Sequence, residues 1–435
     1  MKKNEDSSLR VVDLFSGAGG LSAGFQEAGF GIHAGIDSWQ PACDSFAVNH
    51  PDATVHCRNI RKIDVEDVFD EGTAEPDLVL GGPSCQGFST AGGFGRNGRQ
   101  EGDERNSLFL EFIRFVDSLA PQWVVMENVP GLLLYRKGTI AKEVIKQFRL
   151  IGYYVVPIIL LAADYGVPQL RRRLFFIGNR TGAPVPIPIP TNGDPDLWSG
   201  FALPFAHLSR VGNKNGSREQ QPHVSFLEAC GDLPPLLPGE TWEGEGYPSN
   251  SQAAYQAWAR EGSPGLTLHQ AFSLGKFDAE AIPHIGVGEN WTALPPHLKK
   301  GRFGRIRPYD ATTLLQRLRP DKPAYTITTK FNEGTTGAFI HPSQDRTLSI
   351  REAARLQGFR DSFSFCGSPA EIRKQIGNAV PPLLGFRIAE AIRSRVQGLD
   401  QAGADVIEVD PTVDPDELIG LKEKARKNPN QLSLL

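Results

Sequence analysis

The chain has 435 residues, enough for two or three domains that each bury a hydrophobic core. Hydrophobic residues make up 40% of the sequence and charged residues 22%, which is typical of globular proteins and excludes a disordered or fibrous chain. The formal net charge of −4 excludes a basic field over the whole surface, so any binding of nucleic acid must be local.

The first 180 residues alternate short apolar runs with segments of helical period. The runs are rich in β-branched residues and almost continuously apolar, as strands buried on both faces should be. Strands that alternate with helices predict a doubly wound α/β domain with a parallel sheet, whose ligands bind at the carboxyl ends of the strands. The predicted strands are residues 11–15, 31–37, 77–81, 123–127, 153–161 and 173–178.

A glycine-rich segment, residues 13–21 (DLFSGAGGL), follows the first strand and opens a helix. Gly17 and Gly19 permit a tight turn and a close approach of the backbone to a ligand. Asp37 ends the second strand, where a carboxylate typically accepts hydrogen bonds from ribose hydroxyls. Together these features predict an adenosine-bearing cofactor. The alternative is an ordinary turn with a helix cap, since Ser22 stands where a dinucleotide fingerprint has glycine.

Reactive side chains follow the later strands as well. Cys85 lies in a loop rich in glycine and proline, a position that suits a nucleophile if its thiolate is stabilised; the alternative is a structural cysteine. Glu127 ends an apolar strand, so it must be hydrogen-bonded or serve chemistry, and it can share a proton with a ring nitrogen. Arg171 and Arg173 would lie on one side of an extended strand, unless they are surface arginines.

The alternating pattern ends at residues 181–190, where four alternating prolines predict an extended, stiff linker. The sequence then stays irregular to about residue 346, which predicts a second, loop-rich domain. Within it, residues 299–330 carry nine basic and two acidic side chains, a local net charge of +7. This segment is either a solvated charge run or a surface that contacts phosphates.

Helical periodicity returns after Pro381, where Leu384, Ile388 and Ile392 are spaced by four residues. Such an apolar stripe must pack on another element, and we expect that element to be the sheet of the first domain. Residues 401–417 contain six acidic residues and neither lysine nor arginine, which predicts a flexible tail.

Six motifs, taken in order, make the chain resemble the C5-cytosine DNA methyltransferases. The resemblance covers about residues 10–180 and 347–398, and the ordered set is highly specific although no single motif is. The motifs are DLFSGAGG (13–20), GGPSCQGFS (81–89), ENV (127–129), QLRRR (169–173), REAARLQGF (351–359) and QIGNAVPP (375–382).

The resemblance implies a doubly wound, Rossmann-like α/β methyltransferase sheet with an inserted, loop-rich target-recognition domain. Residues 8–180 and 360–399 would form the catalytic domain, and residues 181–359 the recognition domain. Residues 400–435 would form the flexible tail.

The resemblance also implies the reaction, which is transfer of a methyl group from S-adenosylmethionine to C5 of a flipped-out cytosine. The Cys85 thiolate would attack C6 and form a covalent adduct. Glu127 would bind N3 and the exocyclic amine, and Arg173, with Arg171 nearby, would contact O2.

The implied cofactor is S-adenosylmethionine, with S-adenosylhomocysteine as product and no metal. Phe15 would stack near the adenine and Asp37 would hold the ribose. Three residues depart from the family pattern: Ser84 replaces a proline, Asn59 an acid and Ser38 a bulky residue. The expected cofactor residues are Phe15, Ser16, Gly17, Gly19, Gly20, Leu21, Asp37, Asn59, Ile60, Pro83 and Asn378.

The implied partner is double-stranded DNA. Residues 323–328 resemble the threonine-containing segment near the end of the family's recognition domain, and they lie within the basic segment. Arg351 and Glu352 are expected to organise this domain rather than to do chemistry. The expected DNA-binding residues are Gln86, Ser89, Arg302, Arg305, Arg307, Thr326, Thr328 and Lys330.

Two other functions compete with a DNA methyltransferase of a restriction-modification or defence system. One is the branch of the same family that methylates a tRNA cytosine. The long insert with its basic segment fits sequence-specific recognition of duplex DNA better than it fits this alternative. The other is a DNA-binding regulator without activity, against which the joint presence of Cys85, Glu127, Arg171 and Arg173 argues. We expect a monomer on DNA, with a cognate restriction endonuclease or defence protein as partner.

The last five residues, 431–435 (QLSLL), are similar to peptides that dock on the bacterial sliding clamp; the alternative is an inert tail. Five cysteines without a CxxC pair disfavour a disulfide framework or a cysteine-rich zinc module. The N-terminus lacks the apolar core of a signal peptide, and residues 153–163 are too few to span a bilayer. We therefore expect a soluble, cytoplasmic protein that has no membrane partner.

Overall fold

The computed structural model describes residues 9–68, 75–83, 108–134, 138–193, 221–242, 244–307, 309–396, 406–416 and 418–419. The chain divides into two units. Unit 1 comprises residues 1–165, 172–221 and 384–435, and unit 2 comprises residues 166–171 and 222–383. The chain therefore passes between the units four times, and one of these crossings falls between Arg171 and Arg172.

Most strands of unit 1 form one sheet in the order β3-β2-β1-β4-β5-β8-β6. The strands along the described chain are β1 (Arg10–Leu14), β2 (Gly31–Asp37), β3 (Thr54–Cys57), β4 (Leu78–Gly81), β5 (Trp123–Asn128), β6 (Tyr154–Leu161), β7 (Gln169–Leu170), β8 (Arg172–Asn179), β9 (Val185–Pro188), β10 (Ala324–Tyr325) and β11 (Val406–Val409). The predicted doubly wound α/β sheet is confirmed, and the six predicted strands match their observed bounds to within one residue.

One strand runs against the predicted parallel direction. β8 pairs antiparallel with both β5 and β6, whereas β1 to β5 pair in parallel. Only residues 162–171 connect β6 to β8, too few for the crossover helix that a parallel connection needs. The chain therefore turns back, and β8 occupies the place between β5 and β6.

The helices follow the predicted periodicities, including those at residues 108–119 and 139–150. Phe112, Phe115 and Phe148 point from these two helices into the core of unit 1 and are fully buried. The helices are α1 (Gly20–Glu27), α2 (Gln40–Asn49), α3 (Leu108–Leu119), α4 (Gly131–Leu134), α5 (Thr139–Leu150), α6 (Phe226–Cys230), α7 (Ala254–Arg260), α8 (Lys276–Ala281), α9 (Ile350–Leu356), α10 (Pro369–Asn378) and α11 (Pro382–Val396).

The last long helix contacts α1 within unit 1, and its expected packing on the sheet stays a prediction. Leu384, Ile388 and Ile392 of α11 are fully buried. The Arg393 guanidinium donates a hydrogen bond of 2.5 Å to the Ala28 carbonyl, which satisfies an acceptor at the C-terminus of α1.

The proline-rich segment and part of the acidic tail differ from their predictions, since they pair with each other as β9 and β11. Val185 and Ile187 are buried, so β9 is a strand rather than a solvated linker. Two-stranded antiparallel pairing tolerates the prolines because their missing N–H groups can face outward. Beyond β11, Ile419 reaches the core of unit 1. The described part of the expected flexible tail is thus docked, and residues 420–435 lie outside the described residues.

Unit 2 is rich in loops and short helices, as the sequence indicates. Its buried centre is polar to an unusual degree for a small domain. Arg346, Arg351 and Arg355 are fully buried, and Glu352 forms an ion pair with Arg346 at 2.7 Å. Burial opposes ionisation of Glu352, but the Arg346 guanidinium holds the pKa of this carboxyl well below its usual range. These contacts fit the expected organising role of Arg351 and Glu352.

Candidate active site

The carboxyl ends of four neighbouring strands lie along one edge of the unit 1 sheet. The register pairs Leu14 at the end of β1 with Ile36 of β2 and with Gly81 of β4, and it pairs Gly81 with Met126 of β5. The residues that follow these positions therefore meet at this edge. They include the glycine-rich loop, Asp37, Pro83 and Glu127, which the sequence predicts as site residues.

The glycine-rich loop is held open by its backbone conformation. Phe15, Gly17 and Gly19 all have positive φ values, of 60°, 54° and 88°. Phe15 is not a glycine, so its conformation is strained, and such strain concentrates at functional loops. β1 consequently ends at Leu14, and Phe15 begins the turn instead of ending the strand.

Asp37 ties the loop to the end of β2. One carboxylate oxygen accepts a hydrogen bond from the Gly17 N–H and the other from the Trp39 N–H, both at 2.9 Å. Each carboxylate oxygen can accept two hydrogen bonds, so Asp37 keeps capacity for hydroxyl donors of a ligand. The ribose contact expected of Asp37 stays a prediction.

The buried hydroxyl of Ser16 indicates that the loop suits a polar ligand. Its hydroxyl oxygen is buried and has no hydrogen-bond partner among the described residues. A buried hydroxyl without a partner is costly, and a bound ligand would remove that cost. The residues present therefore fit a polar cofactor at this loop.

Two supports of the loop were not predicted. Ser22 donates a hydrogen bond of 2.6 Å to the Asp13 carboxyl, which explains why serine replaces glycine at position 22. Burial raises the pKa of Asp13 to about 8. His50 packs beneath Gly19, where a Cβ would lie 2.6 Å from its Nε2 atom, and burial lowers the pKa of His50 to about 4. Both side chains thus favour their neutral forms at pH 7.

Asn59 and Ile60, two of the expected cofactor residues, lie at the start of a short 3₁₀ turn, Ile60–Lys62. The Asn59 amide oxygen caps this turn by accepting from the Arg61 N–H at 3.1 Å. Arg114 of α3 donates hydrogen bonds to the carbonyls of Ile60 and Ile63, at 2.9 and 3.2 Å. The turn is therefore fixed at both ends, and asparagine suits position 59 as a cap.

Glu127 and Arg173 form a shielded ion pair at the same edge. The Arg173 Nε atom lies 2.8 Å from the Glu127 Oε1 atom, and the two side chains are 14% and 13% exposed. Glu127 faces Phe175 across the β5–β8 ladder, so Arg173, two residues from Phe175, lies on the same face of the sheet. Burial lowers the pKa of the Arg173 guanidinium, and the Glu127 carboxylate opposes that shift.

Gly82 and Asn128 complete the surroundings of Glu127. A Cβ at position 82 would lie 2.9 Å from the Glu127 Oε2 atom, so glycine leaves room for the carboxylate. The buried Asn128 amide donates a hydrogen bond of 3.1 Å to the Pro83 carbonyl. Position 82 and Asn128 belong to motifs found in the sequence, but only the fold shows what they contact. Cys85, Gln86 and Ser89 lie outside the described residues.

Arg171 and Arg173 fall in different units. Arg171 is 1% exposed and belongs to unit 2, whereas Arg173 belongs to unit 1. Its guanidinium donates to the backbone carbonyls of Ile327, Gly377 and Ala379, at 2.8, 3.1 and 3.0 Å. Three backbone carbonyls thus bind this guanidinium, and its expected place beside the pyrimidine stays a prediction.

The basic segment divides into exposed and buried cations. Arg302, Arg305 and Arg307 are exposed, and Arg307 forms an exposed ion pair with Asp310 at 2.8 Å. Arg317 is instead buried and donates to the carbonyls of unit 2, so it supports the fold. The segment is therefore not uniformly available to a polyanion.

The threonine-containing segment, residues 323–328, includes β10, and its two threonines follow that strand. The Thr326 hydroxyl donates to the Leu170 carbonyl at 2.9 Å, and the Thr328 hydroxyl accepts from the Lys330 N–H at 3.3 Å. Lys330 is exposed. Asn378, an expected cofactor residue, is an exposed residue at the end of α10.

No described helix is long and apolar enough to cross a membrane. No group of three or more His, Cys, Asp or Glu side chains among the described residues could hold a metal ion.

Comparisons with known proteins agree with the motifs. The family model described as C-5 cytosine-specific DNA methylase matches residues 9–394. The chain is 31% identical to Type II methyltransferase M.AgeI of Thalassovita gelatinovora, over 88% of this chain and 99% of that one. It is 33% identical to Type II methyltransferase M.DdeI of Desulfomicrobium norvegicum, over 88% of each chain.

A solved structure has a similar fold. It is a DNA modification methyltransferase encoded within a prophage (E. coli), with 24% sequence identity and a TM-score of 0.64. The match covers 90% of this chain and all of that one, 100%. This likeness supports the Rossmann-like arrangement of the sheet.

Proposed function

Because the chain belongs to the C-5 cytosine-specific DNA methylase family, we propose that it methylates C5 of a cytosine in a specific duplex DNA sequence. The observation that carries the proposal is the shielded Glu127–Arg173 pair on the sheet edge that also holds the glycine-rich loop. A carboxyl group beside a guanidinium is suited to bind a pyrimidine ring, since the two present complementary hydrogen-bonding groups.

The reaction begins with the base outside the stack, because the target carbons are inaccessible inside a duplex. The Cys85 thiolate attacks C6 and forms an S–C6 bond while the C5–C6 double bond opens. Glu127 shares a proton with N3, and Arg173 hydrogen-bonds O2, so the displaced electron pair is stabilised in the ring. C5 then becomes nucleophilic enough to take a methyl group. A base then removes the C5 proton, the C5–C6 double bond re-forms, and the S–C6 bond breaks to release the Cys85 thiolate.

S-adenosylmethionine supplies the methyl group as a sulfonium, and S-adenosylhomocysteine is the product. The unpartnered Ser16 hydroxyl and the remaining acceptor capacity of Asp37 support its binding at the loop. Phe15 would face the adenine. The other residues proposed to bind it are Gly17, Gly19, Gly20, Leu21, Asn59, Ile60, Pro83 and Asn378.

Duplex DNA is the proposed substrate, and Type II relatives support a restriction-modification setting with a cognate endonuclease or defence protein. Gln86 and Ser89 remain proposed DNA contacts from the family motif. In unit 2, the exposed Arg302, Arg305 and Lys330 are the strongest candidates for phosphate contacts, because they lie in a segment of net charge +7. Arg307, Thr326 and Thr328 complete the proposed set.

Two finer proposals concern assembly. The enzyme would act as a monomer on DNA, since each target cytosine needs one active site. The last five residues, 431–435, would dock on a sliding clamp. Deletion of these residues should abolish binding to the sliding clamp. An unchanged affinity for the clamp would contradict this proposal.

A methyl-transfer assay tests the proposed function directly. The full-length protein, supplied with S-adenosylmethionine carrying a labelled methyl group, should label duplex DNA but not tRNA. Bisulfite sequencing of host DNA from cells that express the chain should then identify the sequence methylated. Label in tRNA alone would favour the RNA-directed branch of the family. DNA binding without transfer to either nucleic acid would favour a regulator.

Removing exposed cations should weaken DNA binding in a salt-dependent way. We expect the double variant Arg302→Gln/Arg305→Gln to reduce the slope of log Kd against log salt concentration by about 1.8, since each lost phosphate contact removes about 0.9. Titration of a labelled duplex at four salt concentrations measures the slope. Arg149→Gln is the matched control, because Arg149 is an exposed arginine of unit 1 paired with Asp414. An unchanged slope in the double variant would exclude both arginines as phosphate contacts.

A further inference from the structure

Arg171 joins two segments of unit 2 that lie far apart in sequence. Its Nη1 atom donates to the Ile327 carbonyl at 2.8 Å, and its Nη2 atom donates to the carbonyls of Gly377 and Ala379, at 3.1 and 3.0 Å. Hydrogen bonds from a charged donor are stronger than neutral ones, and more so in a buried setting. A single guanidinium thus holds both backbones.

The two segments also touch directly. A Cβ built on Gly377 would lie 2.4 Å from the Thr329 nitrogen and 2.5 Å from the Thr328 carbonyl carbon. No side chain fits there without a backbone shift, so the segments approach as closely as main chains can. A displacement of one segment must therefore displace the other.

Two buried glutamines extend the hydrogen bonds that join the two segments. Gln169 accepts from the Ile327 N–H at 2.7 Å and donates to Gln357 at 2.6 Å. Gln357 in turn donates to the Ala379 carbonyl at 2.5 Å. Both polar groups of the Ile327 backbone are thereby held, the N–H by Gln169 and the carbonyl by Arg171.

The two joined segments contain residues that are proposed to bind different ligands. Ile327 lies between Thr326 and Thr328, which the proposed function assigns to DNA, and Asn378 lies between Gly377 and Ala379 and is assigned to the cofactor. We propose that Arg171 is a positioning residue that couples DNA binding to cofactor binding through these two segments. The inference rests on the proposed function and goes beyond it, because it predicts that each ligand alters the affinity of the other by the same factor.

The test measures that factor in the full-length protein. S-adenosylhomocysteine and a duplex containing the sequence found by bisulfite sequencing serve as the two ligands. We expect the wild-type chain to bind DNA about 5- to 150-fold more tightly when S-adenosylhomocysteine is saturating, which is the usual range for coupled sites. Arg171→Lys should bring the factor close to 1, since a compact ammonium group lacks the planar fork that spans three carbonyls.

A structural role alone would leave this ratio unchanged even if both affinities fell. Arg317→Lys is the matched control, because Arg317 is also buried and bonded to unit 2 carbonyls but touches neither segment. It should lower the melting temperature without lowering the coupling factor. If Arg171→Lys does not fold, Gln357→Met removes the bond to Ala379 and retains the buried charge, and it should reduce the factor by a smaller amount.

The outcomes separate this inference from the proposed function. A wild-type factor of 1, or an unchanged factor in a folded Arg171→Lys or Gln357→Met variant, would overturn the coupling role while methyl transfer persists. Failure of the wild-type chain to bind either ligand or to methylate DNA would instead overturn the proposed function.

Discussion

Cys85→Ala should abolish methyl transfer while cofactor binding survives. We expect a loss of activity on the order of 10⁴-fold or more, because removal of a covalent nucleophile leaves only binding and orientation to act on the base. The labelled-methyl assay measures the loss, and calorimetric titration with S-adenosylhomocysteine measures cofactor affinity. Turnover within about 100-fold of the wild-type rate would contradict the covalent mechanism.

A second readout isolates the adduct itself. Duplex DNA with 5-fluorocytosine at the target should trap the wild-type protein in a covalent complex that resists denaturation, because fluorine cannot leave C5 as a proton does. The Cys85→Ala variant should form no such complex. Cys366→Ala is the matched control, since Cys366 is a half-buried cysteine of unit 2 outside the proposed site, and this variant should trap as the wild-type chain does.

Glu127→Gln should have the second largest effect, a reduction in kcat of about 10²- to 10⁴-fold, the range for a positioned proton donor. The amide keeps the size of the side chain and can still face Arg173, but it cannot share a proton with N3. Single-turnover kinetics on duplex DNA measure the chemical step. Equal rates for Glu127→Gln and the wild-type chain would exclude a proton-transfer role.

The ion pair allows a sharper version of this experiment. The experiment becomes a double-mutant cycle when Arg173→Lys and the double variant are added to Glu127→Gln. We expect the fold-reduction in rate of the double variant to be smaller than the product of the two single reductions, because the two groups act on one ring. Glu143→Gln is the control, since Glu143 lies on α5 in an exposed ion pair with Lys146. It should leave the kinetics unchanged.

Most of the sheet was predictable because several of its strands are nearly continuous apolar runs that alternate with segments of helical period. β3 was missed for the opposite reason, since Thr54–Cys57 is short and only partly buried, and its side chains show no clear period. The proline-rich β9 was misread because its partner, β11, lies far away in sequence. Local pattern cannot reveal a pairing that depends on a distant segment.

The two arginines show a similar limit within the site. Alternation along a strand places Arg171 and Arg173 on one face, but that rule needs a continuous strand. β7 ends at Leu170 and β8 begins at Arg172, so Arg171 falls in the break and belongs to the other unit. The position of Glu127 followed from its strand end, whereas the supports from Asp13, His50 and Asn128 depend on tertiary contacts that no motif encodes.

The discontinuity of unit 1 has a consequence for protein synthesis. The fully buried Leu384 and Ile388 of α11, and the β11 strand that pairs with β9, leave the ribosome only after residues 222–383 have been made. At about 5–20 residues per second, that interval lasts on the order of 10–30 s. During this time the nascent chain lacks α11 and the partner strand of β9, so unit 1 is completed only near or after release of the complete chain.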